Sequence, residues 1–124
     1  MNAFSKTTIG RARGSRFAVS AKIDRTLDGI VFDSKKEASR YAELKLLERA
    51  GEILGLVMQP AFEVEINGSH FCTFTADFAY YERARLGRII EDVKSTGTAK
   101  DAAYRLRKKA AELAHGIKVI EVIR

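Results

Sequence analysis

Asp92 and Lys94 stand two residues apart in the run Gly87-Arg88-Ile89-Ile90-Glu91-Asp92-Val93-Lys94. The run reads as a strand, and its period of two puts both side chains on one face, roughly 6.6 Å apart along the chain. Asp77 lies near the end of an earlier strand-like run, and Glu37 opens a helical one. Adjacent strands are about 4.8 Å apart, so pairing of these two runs would bring Asp77 and Asp92 within reach of one cation. Carboxylates that converge with a lysine suit metal-assisted cleavage of a phosphodiester. Mg²⁺ takes hard oxygen ligands at about 2.1 Å and keeps several waters, so two Asp carboxylates could suffice, with a backbone or phosphate oxygen completing the shell. Mn²⁺ is the expected substitute. Lys94 would stabilise negative charge near the metal or help position the attacking water. The plainer alternative is a strand end whose charged side chains face solvent.

Glu37 has two readings of its own. Ser34 and Glu37 form Ser-x-x-Glu, a capping box that satisfies a helix start. As an acid beside the apolar stripe, Glu37 could instead reach toward Asp77 and bind metal through water or a second cation. Gln59 could orient a phosphate or water if the irregular backbone near Pro60 faces the site; otherwise its amide terminates a strand. Lys100, Tyr104, Arg107 and Lys108 fall together on a late helix and could follow a nucleic-acid backbone, Tyr104 stacking on a base or bonding to phosphate. A solvated helix face with an amphipathic tyrosine is the simpler account. His70 adjoins a hairpin turn and His115 sits in a last helical turn, so neither suits a general base. Glu91, of opposite parity to Asp92, is expected to be structural, and Cys72 to pack in the core.

The composition agrees with a nucleic-acid partner. The chain of 124 residues carries 22 Lys+Arg against 16 Asp+Glu, a net charge of +6. The excess is concentrated: residues 1–30 hold six basic and two acidic side chains, and residues 94–118 hold seven and two. A basic arm plus a basic helix could form a phosphate-binding surface, with Arg11, Arg13 and Arg16 in the arm. Solubility alone also accounts for a charge of this size. Cys72 is the only cysteine, which excludes an internal disulfide and a four-thiolate zinc site and suits a reducing, cytoplasmic compartment. No stretch approaches about 18 apolar residues, and the polar, basic start does not resemble a signal peptide. No membrane partner and no small-molecule cofactor are expected.

The elements that must position these residues can be read in order. Residues 1–15 read as a flexible basic arm and 16–124 as one domain. Alternation from Phe17 to Ile23 predicts a short strand, with a turn at Asp28-Gly29. A helix follows from Ser34 to a stop at Gly51. A strand over about 53–66, interrupted near Gln59-Pro60, turns at Asn67-Gly68 into a return strand over about 70–80. A third strand ends at Lys94. A second helix, capped by Thr98 with Asp101 at N3, packs through Ala99, Ala102, Ala103, Leu106, Ala110, Leu113 and Ala114 and stops at Gly116. A final strand spans about 117–123. The order helix, three strands, helix, strand predicts an α/β core with a mixed sheet.

In Asp28-Gly-Ile-Val-Phe-Asp-Ser-Lys-Lys-Glu37, Gln59-Pro60, Ala76-Asp77-Phe78, Glu91-Asp-Val-Lys94 and Tyr104-Arg-Leu-Arg-Lys-Lys109, the chain resembles small phage-type endonucleases of the PD-(D/E)xK nuclease superfamily, relatives of Holliday-junction-resolving enzymes. The likeness covers about residues 28–109. It implies a restriction-endonuclease-like α-β-β-β-α-β core, with Asp77 as the first motif acid and Asp92 and Lys94 as the second acid and lysine. Glu37 matches the first-helix acid of resolvase-like branches. Ala76 stands where Pro is usual, and Asp92 where Glu is more usual. The resemblance implies a Mg²⁺-dependent DNA endonuclease acting on branched DNA such as Holliday junctions, as a homodimer because paired symmetric nicks suit two-fold symmetry. A DNA nicking or processing nuclease without junction specificity, and a non-catalytic nuclease-fold DNA-binding protein, are the alternatives.

Overall fold

A computed structural model describes residues 21–85, 87–95, 97 and 100–124. The described residues divide into two compact units, one up to Ser39 and one from Arg40 onward. Arg11, Arg13, Arg16, Thr98 and most of the strand expected from Phe17 lie outside the described residues.

In the first unit, Lys22–Arg25 form a 3₁₀ turn. This departs from the expected strand. Asp24 N–H donates to the Ala21 carbonyl at 2.9 Å, and Thr26 Oγ1 donates to the Lys22 carbonyl at 2.6 Å. The alternation also buries nothing here, since Ile23 is 83% exposed. Two short antiparallel strands follow, β1 (Thr26–Leu27) and β2 (Ile30–Val31). They flank Asp28 and Gly29, both at positive φ, as that pair predicts. Helix α1 (Lys35–Arg49) begins in this unit. Its start is capped as its sequence demands: Glu37 N–H donates to Ser34 Oγ at 3.1 Å.

The second unit opens on the remainder of α1, which stops at Gly51 with φ +79°. The expected first two strands are each divided. One becomes β3 (Ile53–Met58) and β4 (Ala61–Ile66); the other becomes β5 (Ser69–Thr75) and β6 (Phe78–Glu82). The break has a local cause. Gln59 takes φ +53° and Pro60 offers no N–H, so the ladder cannot run through them. Thus β4 and β5 form a separate two-stranded ribbon closed by Asn67-Gly68, both at positive φ. The main sheet has the order β3-β6-β7-β8, with β7 at Gly87–Lys94 and β8 at Val119–Ile123. Its first two pairings are antiparallel and β7–β8 is parallel, a mixed sheet in a mixed α/β fold. In β3 the register shifts around Gly55 at φ +64°, and Glu48 Oε2 on α1 accepts the Leu56 N–H at 3.2 Å.

Helix α2 spans Ala102–His115 and ends at Gly116 in the left-handed region. Its cap is Asp101, not Thr98: the Asp101 carboxylate accepts the Tyr104 N–H at 2.9 Å. Its buried side also differs from the expected alanine and leucine face. Tyr104 and Ala111, seven residues apart, are buried, while Leu106 and Leu113 are 60% and 73% exposed. The aromatic ring anchors the helix, because its burial outweighs that of scattered alanines. Tyr104, Ala111, Phe62, Val64, Phe74, Ala79, Ile90 and Val119 form the core on this side. On the other side of the sheet, Tyr41 stacks on Phe78 with ring centroids 6.4 Å apart, beside fully buried Leu44. Complete burial of side chains such as Leu44 and Ile90 contributes about 1.5–3 kcal/mol each. Among the described residues, no helix is long and apolar enough to cross a membrane.

Candidate functional site

The central strand β7 has helical cover on both faces, and its two consecutive acids point opposite ways. Glu91 faces α1. Arg40 Nε and Nη2 donate to its two carboxylate oxygens at 2.8 and 2.6 Å, and Tyr80 Oη donates a further short bond to Oε2. This bidentate clamp raises the Arg40 pKa well above its ordinary value. Burial, then the bond to Glu91, raises that of Tyr80. Glu91 thus points away from Asp92, as its parity suggested, and both its oxygens are bonded.

Asp92 faces α2 and is 1% exposed. The β6–β7 register pairs Phe78 with Glu91, so the preceding residue, Asp77, falls opposite Asp92. Asp77 sits where the β4–β5 ribbon leaves the main sheet. Its N–H donates to the Glu91 carbonyl at 3.0 Å, and its Oδ2 accepts the Val93 N–H at 2.7 Å. These bonds orient one Asp77 oxygen into the backbone of β7. Neither Asp92 carboxylate oxygen makes a hydrogen bond of good geometry, nor does the buried Tyr104 Oη, although that phenol and the Asp77 carboxylate lie close enough to Asp92 to act on its proton. Lys94 Nζ stands 3.5 Å from Asp92 Oδ2 and 4.7 Å from the centroid of the Tyr104 ring. Burial, reinforced by the neighbouring Asp77 charge, pushes the Asp92 carboxyl up to about 7, against a smaller opposing pull from Lys94. Burial and the Asp92 charge together raise the Tyr104 phenol.

The structure therefore brings together Asp77, Asp92, Lys94 and Tyr104. Tyr104 is the addition: on sequence it lay on a surface path, whereas it is buried under Lys94 and beside Asp92. An aromatic ring beneath an ammonium holds that charge in place at little cost in hydration. The signal available was its position three residues after the capping Asp101, which fixes the first turn of α2. Glu37 belongs to the first unit, where it is 4% exposed at N3 of α1. Gln59 touches the site's framework through its backbone: its N–H donates to the Asp77 carbonyl at 2.9 Å, while Pro60 O accepts the Ala76 N–H at 3.0 Å. Lys100 and Arg107 are exposed, and Lys108 lies 3.6 Å from Glu112 and 3.8 Å from Glu121. His115 Nε2 is 2.7 Å from the Glu63 carbonyl, with its ring edge on Phe62. Cys72 packs against the core.

Among the described residues, no group of three or more His, Cys, Asp or Glu side chains is gathered as for a metal. Asp77 and Asp92 are the two carboxylates that neighbour each other across β6 and β7. One of them is buried with both oxygens unsatisfied and resists ionisation, which is the condition that a divalent cation relieves. The donor set is hard oxygen throughout, suited to Mg²⁺ or Mn²⁺ with water or phosphate in the remaining positions.

No curated protein matches the chain, and no solved structure matches it. A family model described as a protein of unknown function, DUF1064, matches residues 19–119, a span that includes Glu37, Asp77, Asp92, Lys94 and Tyr104. By that match over most of its length, the chain belongs to the DUF1064 family.

Proposed function

We propose that this protein is a divalent-metal-dependent endonuclease that hydrolyses DNA phosphodiester bonds, with a restriction-endonuclease-like arrangement of its sheet. The observation that carries the reading is Asp92: buried, without a hydrogen bond at either oxygen, opposite Asp77 and 3.5 Å from Lys94. A buried carboxylate that serves structure alone is expected to be hydrogen-bonded at both oxygens, as Glu91 is. Asp92 and Asp77 would hold the cation. Bound there, a divalent cation would supply a water of lowered pKa and neutralise charge on the phosphoryl group. Lys94 would donate to a non-bridging phosphate oxygen as negative charge develops. Tyr104 would keep that ammonium in place and close the floor of the site to water. Branched DNA is the proposed substrate, with a two-fold dimer as the form that makes paired nicks.

The test is cleavage of four-way junctions, forks, duplex and single strands with Mg²⁺ or Mn²⁺, for the wild type, Asp77→Asn and Asp92→Asn. Each substitution is expected to lower single-turnover cleavage by roughly a thousandfold, the loss of about 4 kcal/mol of transition-state stabilisation. Equal cleavage by wild type and variants would reject the active-site assignment. Equal cleavage of branched and linear DNA would reject junction specificity and leave the nuclease chemistry standing.

A further inference from the structure

A cleft of about 910 Å³ opens between α2 and β8. Five basic side chains line it: Lys100, Arg105, Lys108, Lys109 and Lys118. Two carboxylates share the wall, Glu112 and Glu121. Both are engaged. Glu112 Oε2 accepts the Val119 N–H at 2.9 Å, and Lys108 lies within 3.8 Å of each acid. Lys108 is thereby committed to the wall, and Lys100, Arg105, Lys109 and Lys118 remain exposed around the rim. Between the cations, Leu106 and Ile123 present apolar surface at 60% and 49% exposure. Cations spaced around apolar surface fit a polymer that offers phosphates outward and sugar or base faces inward.

The cleft has a fixed relation to the carboxylates. The parallel β7–β8 register pairs Asp92 with Glu121 and Lys94 with Ile123. The cleft wall on β8 is thus about 4.8 Å, one strand spacing, from the strand that carries Asp92 and Lys94. Tyr104 comes from the same helix that supplies Arg105 and Lys109. A chain lying in the cleft is therefore held by the two elements that flank the acidic site. Arg107, although on α2 and exposed, does not line the cleft.

From this arrangement we infer that the α2–β8 cleft is a nucleic-acid track, in which Arg105, Lys109 and Lys118 bind the phosphates of a strand running beside the Asp77–Asp92 site. The assignment rests on the phosphodiester reading of that site for its direction, and its binding step is separable from cleavage. Phosphate contacts made by exposed cations are read through salt dependence. For a single strand, each contact contributes about 0.7 to the slope of log affinity against log salt.

The experiment measures binding of a labelled oligonucleotide, single-stranded and duplex, by fluorescence anisotropy in EDTA across a salt series. The cleft variant is Arg105→Gln with Lys109→Gln and Lys118→Gln. A charge-matched control on other surfaces is Arg49→Gln with Arg83→Gln and Arg85→Gln. The cleft variant is expected to bind at least about tenfold more weakly at low salt, with the single-strand slope reduced by roughly two. The control should stay within about twofold. Equal weakening by both triples would reduce the effect to bulk charge and overturn the track, as would unchanged binding by the cleft variant. Binding of the wild type to anionic phospholipid vesicles but to no oligonucleotide would reassign the cleft and equally overturn it. A second readout needs no variant: bound oligonucleotide should slow acetylation of Lys109 and Lys118 in the wild type, and unprotected lysines would reject the proposal. Asp92→Asn separates the two readings. Cleft-dependent affinity without metal-dependent cleavage by the wild type would sink the nuclease alone. Cleavage lost in Asp92→Asn, with affinity indifferent to the cleft variant, would sink the track alone.

Discussion

On the α1 side of β7, Glu91 is buried and receives two bonds from Arg40 and one from Tyr80. On the α2 side, Asp92 is buried to the same degree, and neither oxygen receives a hydrogen bond. The residues are consecutive and carry the same chemical group. What differs is the helix each one meets. α1 brings a guanidinium that matches a carboxylate bidentately. α2 brings a phenol that makes no hydrogen bond of good geometry, and the adjoining strand brings a second acid, with Lys94 the nearby compensation. One side of the strand is an electrostatic rivet and the other a pocket that its single lysine compensates only in part. A carboxylate buried beside a second acid is costly to ionise, whereas one clamped by a guanidinium is not.

The largest test of this contrast is to break the rivet. Arg40→Ala should destabilise the protein by about 3–5 kcal/mol at pH 7, because Glu91 would be left buried and unpaired. Urea unfolding with metal chelated measures this. A loss below about 1 kcal/mol would mean that solvent reaches Glu91 and that the two pockets are not opposites.

The sharper test makes the same edit on neighbouring residues. Asp92 holds its proton up to about pH 7 when folded and releases it near the ordinary carboxylate value when unfolded. Its contribution to stability is thus full in acid and declines as pH rises from about 4 toward 7. Asp92→Asn, which cannot ionise, should be more stable than wild type at pH 8 by up to about 4 kcal/mol, with the difference vanishing near pH 4. Glu91→Gln should go the other way at neutral pH. Thermal melts of both variants across pH, in EDTA, check this. Destabilisation by both substitutions at pH 8 would erase the asymmetry.

The smallest effect concerns the two phenols. Tyr80→Phe removes a bond to a buried carboxylate and should cost about 1–2 kcal/mol. Tyr104→Phe removes a buried hydroxyl that makes no hydrogen bond of good geometry, and should leave stability unchanged or raise it by about 1 kcal/mol. Equal costs would show that Tyr104 Oη carries a bond comparable to that of Tyr80.

Much of this arrangement is legible along the chain because it depends on residues close together. Ser34 and Gly51 bound α1, Asn67-Gly68 closes the ribbon, and Gly116 ends α2, each through a local dihedral or cap. The strand period separates Glu91 from Asp92 and sets Asp92 with Lys94. The antiparallel pairing of the 70s and 90s that brings Asp77 opposite Asp92 follows from the short connection after Glu82. Other features were not local. The splitting of two strands at Gln59-Pro60 and Ala76-Asp77 depends on where the ribbon peels away to pack on α2. The rotation of α2, which buries Tyr104 and exposes Leu106 and Leu113, depends on the shape of the surface beneath it, and alternative stripes of one helix look alike in sequence.

The two helices, the turns and the common face of Asp92 and Lys94 belong to the sequence by itself, because backbone sterics and side-chain periodicity act over a few residues. Tertiary structure alone decided that Arg40 reaches Glu91 across 51 residues, while Tyr104 and Asp77 close around Asp92. The balance of burial and charge at a carboxylate is set by whatever the fold carries to within a few ångströms, and sequence neighbours do not record that.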